Sequence, residues 1–319
     1  MLNGIISVCT VFVILAVGFI FTNRSLWPDN TNKVFSTTVV RIAAPSLAIV
    51  SIENRFTPEM LQAAVWNLLI IAATIFLMHG IGILLARLMR LPHKKKAVFI
   101  TTFTFNNTMF IGLPINRIVF GHDGLPYLFT FYLVTIVMFW SLGAYTLAKA
   151  ADTGERANAG GRAFSWKKVF SPGLIGCLIG CALAAFGLHL PTILETSLEY
   201  LGDICVPLSL LVIGSNLAKT FSRGLQRITA DQIVIMFGKF VLHPLIIWGA
   251  FSLLGHLGLV AVSGLPLKVF ILTAALPCHA QTAILSEYYD LEGEYASNLV
   301  SLSTLISLVT IPIYASILL

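Results

Sequence analysis

Charge is what this chain has least of. Only 11% of its 319 residues are charged, against 57% hydrophobic, with a mean hydropathy of +0.89. Soluble domains run near a quarter charged, so the composition excludes a soluble globular fold and implies a protein of the bilayer. Cysteine is also scarce. Cys9, Cys177, Cys181, Cys205 and Cys278 all fall in apolar stretches and show no CxxC spacing, which speaks for small buried hydrophobes rather than a disulfide framework or a metal site. HExxH and GxGD motifs are missing, Asp290 in the YYD run reads as a loop residue, and no phosphate-binding loop is present. An intramembrane protease and direct use of ATP are therefore disfavoured, and no catalytic residue, metal ligand or bound cofactor is expected.

What fills the chain instead is a succession of apolar runs of about 20 residues, the length that crosses a hydrocarbon core as a helix. They predict an all-α integral membrane protein with about ten spans, near residues 4–21, 34–52, 62–86, 97–119, 125–148, 169–187, 193–218, 229–254, 266–286 and 296–318. The first run has no basic residue before it and reads as a retained helix. Basic residues crowd alternate connections: Arg24 and Lys33; Arg87, Arg90 and Lys94 to Lys96; Lys149 to Lys168; Lys219, Arg223 and Arg227. The connections between these hold Arg55 and Lys268. The positive-inside rule then predicts a multi-pass protein of the cell (inner) membrane with both termini outside. It also accounts for the net charge of +6 through loops facing anionic lipid, with no nucleic-acid partner implied.

One long polar connection, with DTGERANAGGR at its heart, separates residues 1–150 from 169–319 and leaves five spans on each side. An odd number of spans per half inserts the halves in opposite orientations, the pattern of an inverted repeat with its binding site near the midplane. Internal echoes fit this. Arg41 precedes Pro45 by four residues in the second span and Asp203 precedes Pro207 by four in the seventh; NNTMFIGLP interrupts the fourth span and LPCHAQTA the ninth.

Proline removes a backbone donor and crowds the preceding turn, so Pro114 and Pro277 are expected to break their helices, with Gly112 allowing a close approach. Unwound backbone persists in a membrane only where protein buries it or a cavity lies beside it, which makes these breaks candidate binding sites. Half-helix amino termini meeting there would favour an anion. Asn107 and Asn106, with Gln281 and Thr282 from the other half, can hydrogen-bond a carboxylate, although an asparagine in a bundle also serves as helix–helix glue. Asp203 reads either as a proton- or cation-coupling acid or as an ion-pair partner of Arg41 or Lys239. His279 reads as a pH-sensitive group in the ninth-span break. Arg117 and Arg41 are candidates for attracting an anion, and Arg117 alternatively snorkels to the interface.

The runs NTMFIGLP (107–114), APSL in the second span, PLSLLVIGSNL (207–217), ALPCHAQTAILSEYY (275–289) and SLSTLISLVTIPI (301–313) resemble the auxin efflux carrier family over nearly the whole chain. The resemblance implies a ten-helix fold of two inverted five-helix repeats, similar to that of bile acid symporters, with a scaffold and a mobile transport domain. It also implies that the fourth and ninth helices cross at Pro114 and Pro277, that Asn107 contacts a substrate carboxylate, and that the crossover bundle moves in an elevator-like cycle. The short central connection resembles that of compact bacterial members described as permeases for malonate and other small organic acids, whereas plant auxin carriers often carry a long loop. The expected function is secondary transport of a small organic anion, coupled to H⁺ or Na⁺ or uncoupled. A passive channel or facilitator is the alternative, and a homodimer is open to it.

Overall fold

The computed structural model describes residues 2–28, 30–55, 58–151, 170–223, 228–258 and 264–319. The linker expected at 151–168 thus lies, apart from Ala151, outside the described residues. The described residues are helical throughout, and the helices follow the apolar runs. They are α1 Leu2–Asn23, α2 Thr31–Glu53, α3 Pro58–Leu88, α4 His93–Thr104, α5 Thr108–Phe120, α6 His122–Ala150, α7 Pro172–Phe186, α8 Thr192–Lys219, α9 Ala230–His256, α10 Leu265–Ala274, α11 Ala280–Tyr288 and α12 Gly293–Leu318. Among the described residues six helices, counting α3 from Ala64, are long and apolar enough to cross a membrane, and shorter apolar ones accompany them.

Two packing groups emerge. In one, α1 lies along α8 and α7 along α2, with backbones brought together by glycine. A Cβ on Gly214 would lie 2.1 Å from the Leu15 carbonyl oxygen and one on Gly18 2.3 Å from that of Leu211; on the other pair, a Cβ on Gly176 would lie 2.6 Å from the Pro45 carbonyl oxygen. Small residues are what allow such approach where lipid supplies no hydrophobic drive for association. The exchange is reciprocal: the first helix before the linker packs on the second helix after it, and the first helix after it packs on the second before it. In the other group, α3, α6, α9 and α12 surround the interrupted pairs α4–α5 and α10–α11.

Of the two prolines expected to break their helices, Pro277 does so and Pro114 does not. Pro45, Pro114 and Pro244 each sit two residues beyond the end of a π-helical turn, at Val39–Ala43, Thr108–Gly112 and Gly238–Leu242. A proline ring clashes with the carbonyl four residues back, and a turn widened by one residue relieves that clash without ending the helix. Pro114 therefore lies inside a continuous α5, and the fourth-span break is seven to nine residues earlier, at Phe105–Asn107. Pro277 does lie in an unwound stretch, 275–279. Asp203 and Pro207 flank a turn at Ile204 within α8.

The glycine contacts give a direct test. Gly214→Val should cost about 1–3 kcal/mol by overpacking against the α1 backbone. Gly80→Ala, where an added methyl meets nothing within 4 Å, should be neutral or stabilising by about 0.5–1 kcal/mol. Thermal melting of the detergent-purified variants would check both, and equal melting points would refute this account of the interface.

Candidate functional site

The two unwound stretches meet as a miniature antiparallel ladder centred on Asn106 and Cys278. The Asn107 amide donates to the Pro277 carbonyl at 2.9 Å and the His279 amide to the Phe105 carbonyl at 3.1 Å. Side chains take up further groups freed by the breaks. Asn106 Nδ2 donates to the carbonyls of Ala274 at 2.8 Å and Thr273 at 3.0 Å, while the Cys278 amide donates to Ser303 Oγ at 3.1 Å. From α9, Lys239 Nζ donates to both Phe105 O and Asn106 Oδ1 at 2.5 Å. Phe139 of α6 packs edge-on to Phe105 at 5.3 Å and stacks on His279 at 4.3 Å between ring centroids. Gly143 brings that helix close, since a Cβ there would lie 2.8 Å from the Phe105 ring. Gly112 does the same inside the crossing, where a Cβ would lie 2.5 Å from Leu276 Cδ1.

Beside this dry crossing lies a cavity of about 420 Å³. Asn107, Phe110 and Ile111 from the first turns of α5, and Ala280 and Gln281 from the first turn of α11, line one part of it; α2, α8 and α12 line the rest. Asn107 Oδ1 caps α5 by accepting from the Phe110 amide at 3.2 Å. Its Nδ2 has no hydrogen-bond partner among the described residues. Arg41, carried on the π-turn of α2, is the one charged residue lining the cavity among the described residues, with Asn216, Ser301 and Thr304 adding polar groups. Two helix amino termini, a guanidinium and amide donors, without a facing carboxylate, form a surroundings suited to an anion.

The structure thus brings Arg41, Asn107 and Gln281 together and leaves the other expected residues elsewhere. Asn106, only 1% exposed, has its amide committed to Thr273, Ala274 and Lys239 and serves as the glue of the crossing. Gly112, Pro114 and Pro277 shape backbone and do not line the cavity. Thr282 is fully buried, its hydroxyl without a partner among the described residues. His279 caps α11, its Nδ1 accepting from the Gln281 amide at 3.3 Å. Asp203 pairs with neither Arg41 nor Lys239 but with Arg117, at 3.1 Å, beside a separate hollow of about 350 Å³. Arg117 also contacts His122, and Arg55 pairs with Asp123 at 2.9 Å. In the sequence Lys239 stands out only as a partner for Asp203. A lysine in mid-span with no acid within a turn was the signal for its separate role.

A multi-pass helical membrane protein with a cavity of mixed apolar and polar lining set against two interrupted helices has the build of a solute transporter. The comparison of sequences specifies which: the family model described as membrane transport protein matches residues 3–315, and the chain belongs to that family, of the auxin efflux carrier type. Its members are transporters rather than enzymes. Similar proteins include an uncharacterized transporter of Methanothermobacter thermautotrophicus, 28% identical over 98% of this chain and 97% of that one. Another is an uncharacterized transporter of Methanocaldococcus jannaschii, 24% identical over 98% of each. A protein of Rhizobium meliloti whose name proposes malonate transport is 30% identical over 44% of this chain and 42% of its own length.

The two adjacent asparagines should behave differently. Asn106→Ala leaves an ammonium and two carbonyls short of partners in a dry site and should cost about 3 kcal/mol or more. Asn107→Asp keeps the capping oxygen and should melt close to the unmodified protein. Comparison of melting temperatures in detergent checks the contrast, and a mild Asn106→Ala would mean that the crossing does not rely on that amide.

Proposed function

We propose that this chain is a secondary carrier of small organic anions, the chemical class that includes malonate. It spans the cell (inner) membrane about ten times, as two inverted five-helix repeats at 1–150 and 169–319 with both termini outside. The observation that carries the reading is the cavity lined by Arg41, Asn107 and the starts of two half-helices, with no acidic residue lining it among the described residues. In this reading Arg41 pairs with the substrate carboxylate, while the Asn107 Nδ2, the Gln281 amide and the helix starts orient it. The reciprocal glycine packing of α1 on α8 and α7 on α2 supports the inverted repeat. The relative from Rhizobium meliloti supports the substrate class.

Alternating access follows from the two packing groups. The cavity lies between α2 and α8 of one group and the crossover of the other, on the side predicted to face the cytoplasm. The opposite side is held by ion pairs that join the groups, Arg117 of α5 to Asp203 of α8 and Arg55 after α2 to Asp123 at the start of α6. We assign Asp203 to this outer closure. Sliding of the crossover bundle against α1, α2, α7 and α8 would break these pairs and expose the cavity outward.

Uptake of labelled malonate and related mono- and dicarboxylates into proteoliposomes, with proton and sodium gradients imposed separately, tests the function. Saturable uptake that responds to a gradient marks a coupled carrier; flux that never saturates marks a channel and ends the proposal. Arg41→Gln and Asn107→Asp should each lower uptake on the order of 10- to 100-fold, as a lost hydrogen bond to a charged group is worth about 1.5–3 kcal/mol. Arg41→Lys should retain part of it. Unchanged uptake by both Arg41 variants would remove the guanidinium from the site.

A further inference from the structure

Lys239 has no part in the anion site described above, yet it sits at the centre of the molecule. Its side chain is 0% exposed, and no carboxylate pairs with it among the described residues. A buried ammonium without a counter-ion is costly, so its surroundings must supply negative potential. They do so with neutral oxygens. Phe105, whose carbonyl lies 2.5 Å from Nζ, closes the carboxyl-terminal end of α4, where the carbonyls of a helix carry partial negative charge. Asn106 adds its Oδ1 at 2.5 Å and is itself held by Thr273 and Ala274 at the end of α10. His243, one turn further along α9, approaches Asn106 Nδ2 at 3.3 Å through Nδ1.

Carbonyl and amide oxygens at the carboxyl-terminal ends of interrupted helices are the ligand set with which broken-helix carriers hold a dehydrated alkali cation. Here an ammonium on a lysine stem stands against two such oxygens, Phe105 O and Asn106 Oδ1. We propose that Lys239 is a tethered cation: its ammonium fills the oxygen cage at the crossover that a coupling alkali ion would otherwise occupy, so that the carrier moves its anion with no requirement for Na⁺ or K⁺. The proposal deepens the carrier reading and rests on it for the transport statement, while the claim about the cage stands on its own.

The cage is tested without substrate, by thermal melting of purified protein in chloride salts of choline, Na⁺, K⁺ or methylammonium at equal ionic strength. The unmodified protein should melt at the same temperature in all four. Lys239→Ala should melt about 10 °C lower in choline and recover at least half of that loss in Na⁺, K⁺ or methylammonium, which enter the vacated cage. Lys239→Met, whose side chain fills the space without charge, should stay low in every salt. Should Lys239→Ala fail to fold in choline, it is prepared in methylammonium or Na⁺ instead, where recovery of folded protein supports the cage and continued failure overturns it. Saturable stabilisation of the unmodified protein by Na⁺ would overturn the proposal, as would a Lys239→Ala variant that no cation restores or that loses nothing in choline. In proteoliposomes, anion uptake by the unmodified protein should be unchanged when choline replaces Na⁺ and K⁺, and loss of that uptake would overturn it. Arg41 variants that transport normally would instead strike at the anion reading and leave the melting result intact.

Discussion

Lys239 of α9, the carbonyl of Phe105 and the side chain of Asn106 form a contact of three groups, and the geometry of the crossing hangs on it. Where α4 stops and α5 has yet to begin, main-chain groups lose their helical partners in a region from which water is excluded, at a cost of several kcal/mol for each group left alone. The crossing meets this by mutual satisfaction. Backbone bonds between Asn107 and Pro277 and between His279 and Phe105 tie the two breaks to each other, while Asn106 and Lys239 take up carbonyls at the ends of α4 and α10. With both breaks held, the starts of α5 and α11 are fixed against the same cavity. The proposed anion site is in this reading a by-product of how the backbone is kept bonded, with Arg41 and Gln281 adding to a field that the half-helices have already set up.

The π-turns extend the same logic to the intact helices. Three of them precede a proline by two residues, and the wider turn does for the ring what a break would otherwise do. They also coincide with chemistry. Arg41 lies within the turn at Val39–Ala43 and Lys239 within the turn at Gly238–Leu242, so each basic side chain is carried where helix geometry has been changed locally. One faces the cavity and the other the crossing. A fourth turn, Phe139–Gly143, has no proline after it and lets α6 approach Phe105 closely through Gly143.

Much of this was legible in the sequence, because hydropathy and helix length obey the bilayer directly. The predicted spans coincide with the helices, with 97–119 and 266–286 each divided in two, and the motifs around Asn107 and Pro277 identified the family. What escaped was the location of the fourth break. A proline reads as a break when judged by its own chemistry, whereas the residue that tolerates it lies several positions back and carries no signature. Ion-pair choice escaped for a related reason: Asp203 meets Arg117 across a helix interface, and four-residue spacing within a span says nothing about which neighbour lies opposite.

The adjacent asparagines show how a two-residue motif serves both needs. Phe105 is extended, with φ −98° and ψ 139°, and Asn106 bridges Cys278 in an antiparallel pairing. Successive side chains along such a stretch point to opposite sides, as they do along a strand. Asn106 accordingly enters the dry crossing, where both ends of its amide are engaged, and Asn107 turns to the cavity, where one end caps α5 and the other has no partner among the described residues. In a continuous helix the two side chains would diverge by about 100°, since a turn takes 3.6 residues. Only an extended link lets neighbours serve a buried clamp and an open site at the same depth. The unwinding that would be a liability elsewhere in the membrane is what separates the holding of the backbone from the proposed holding of an anion.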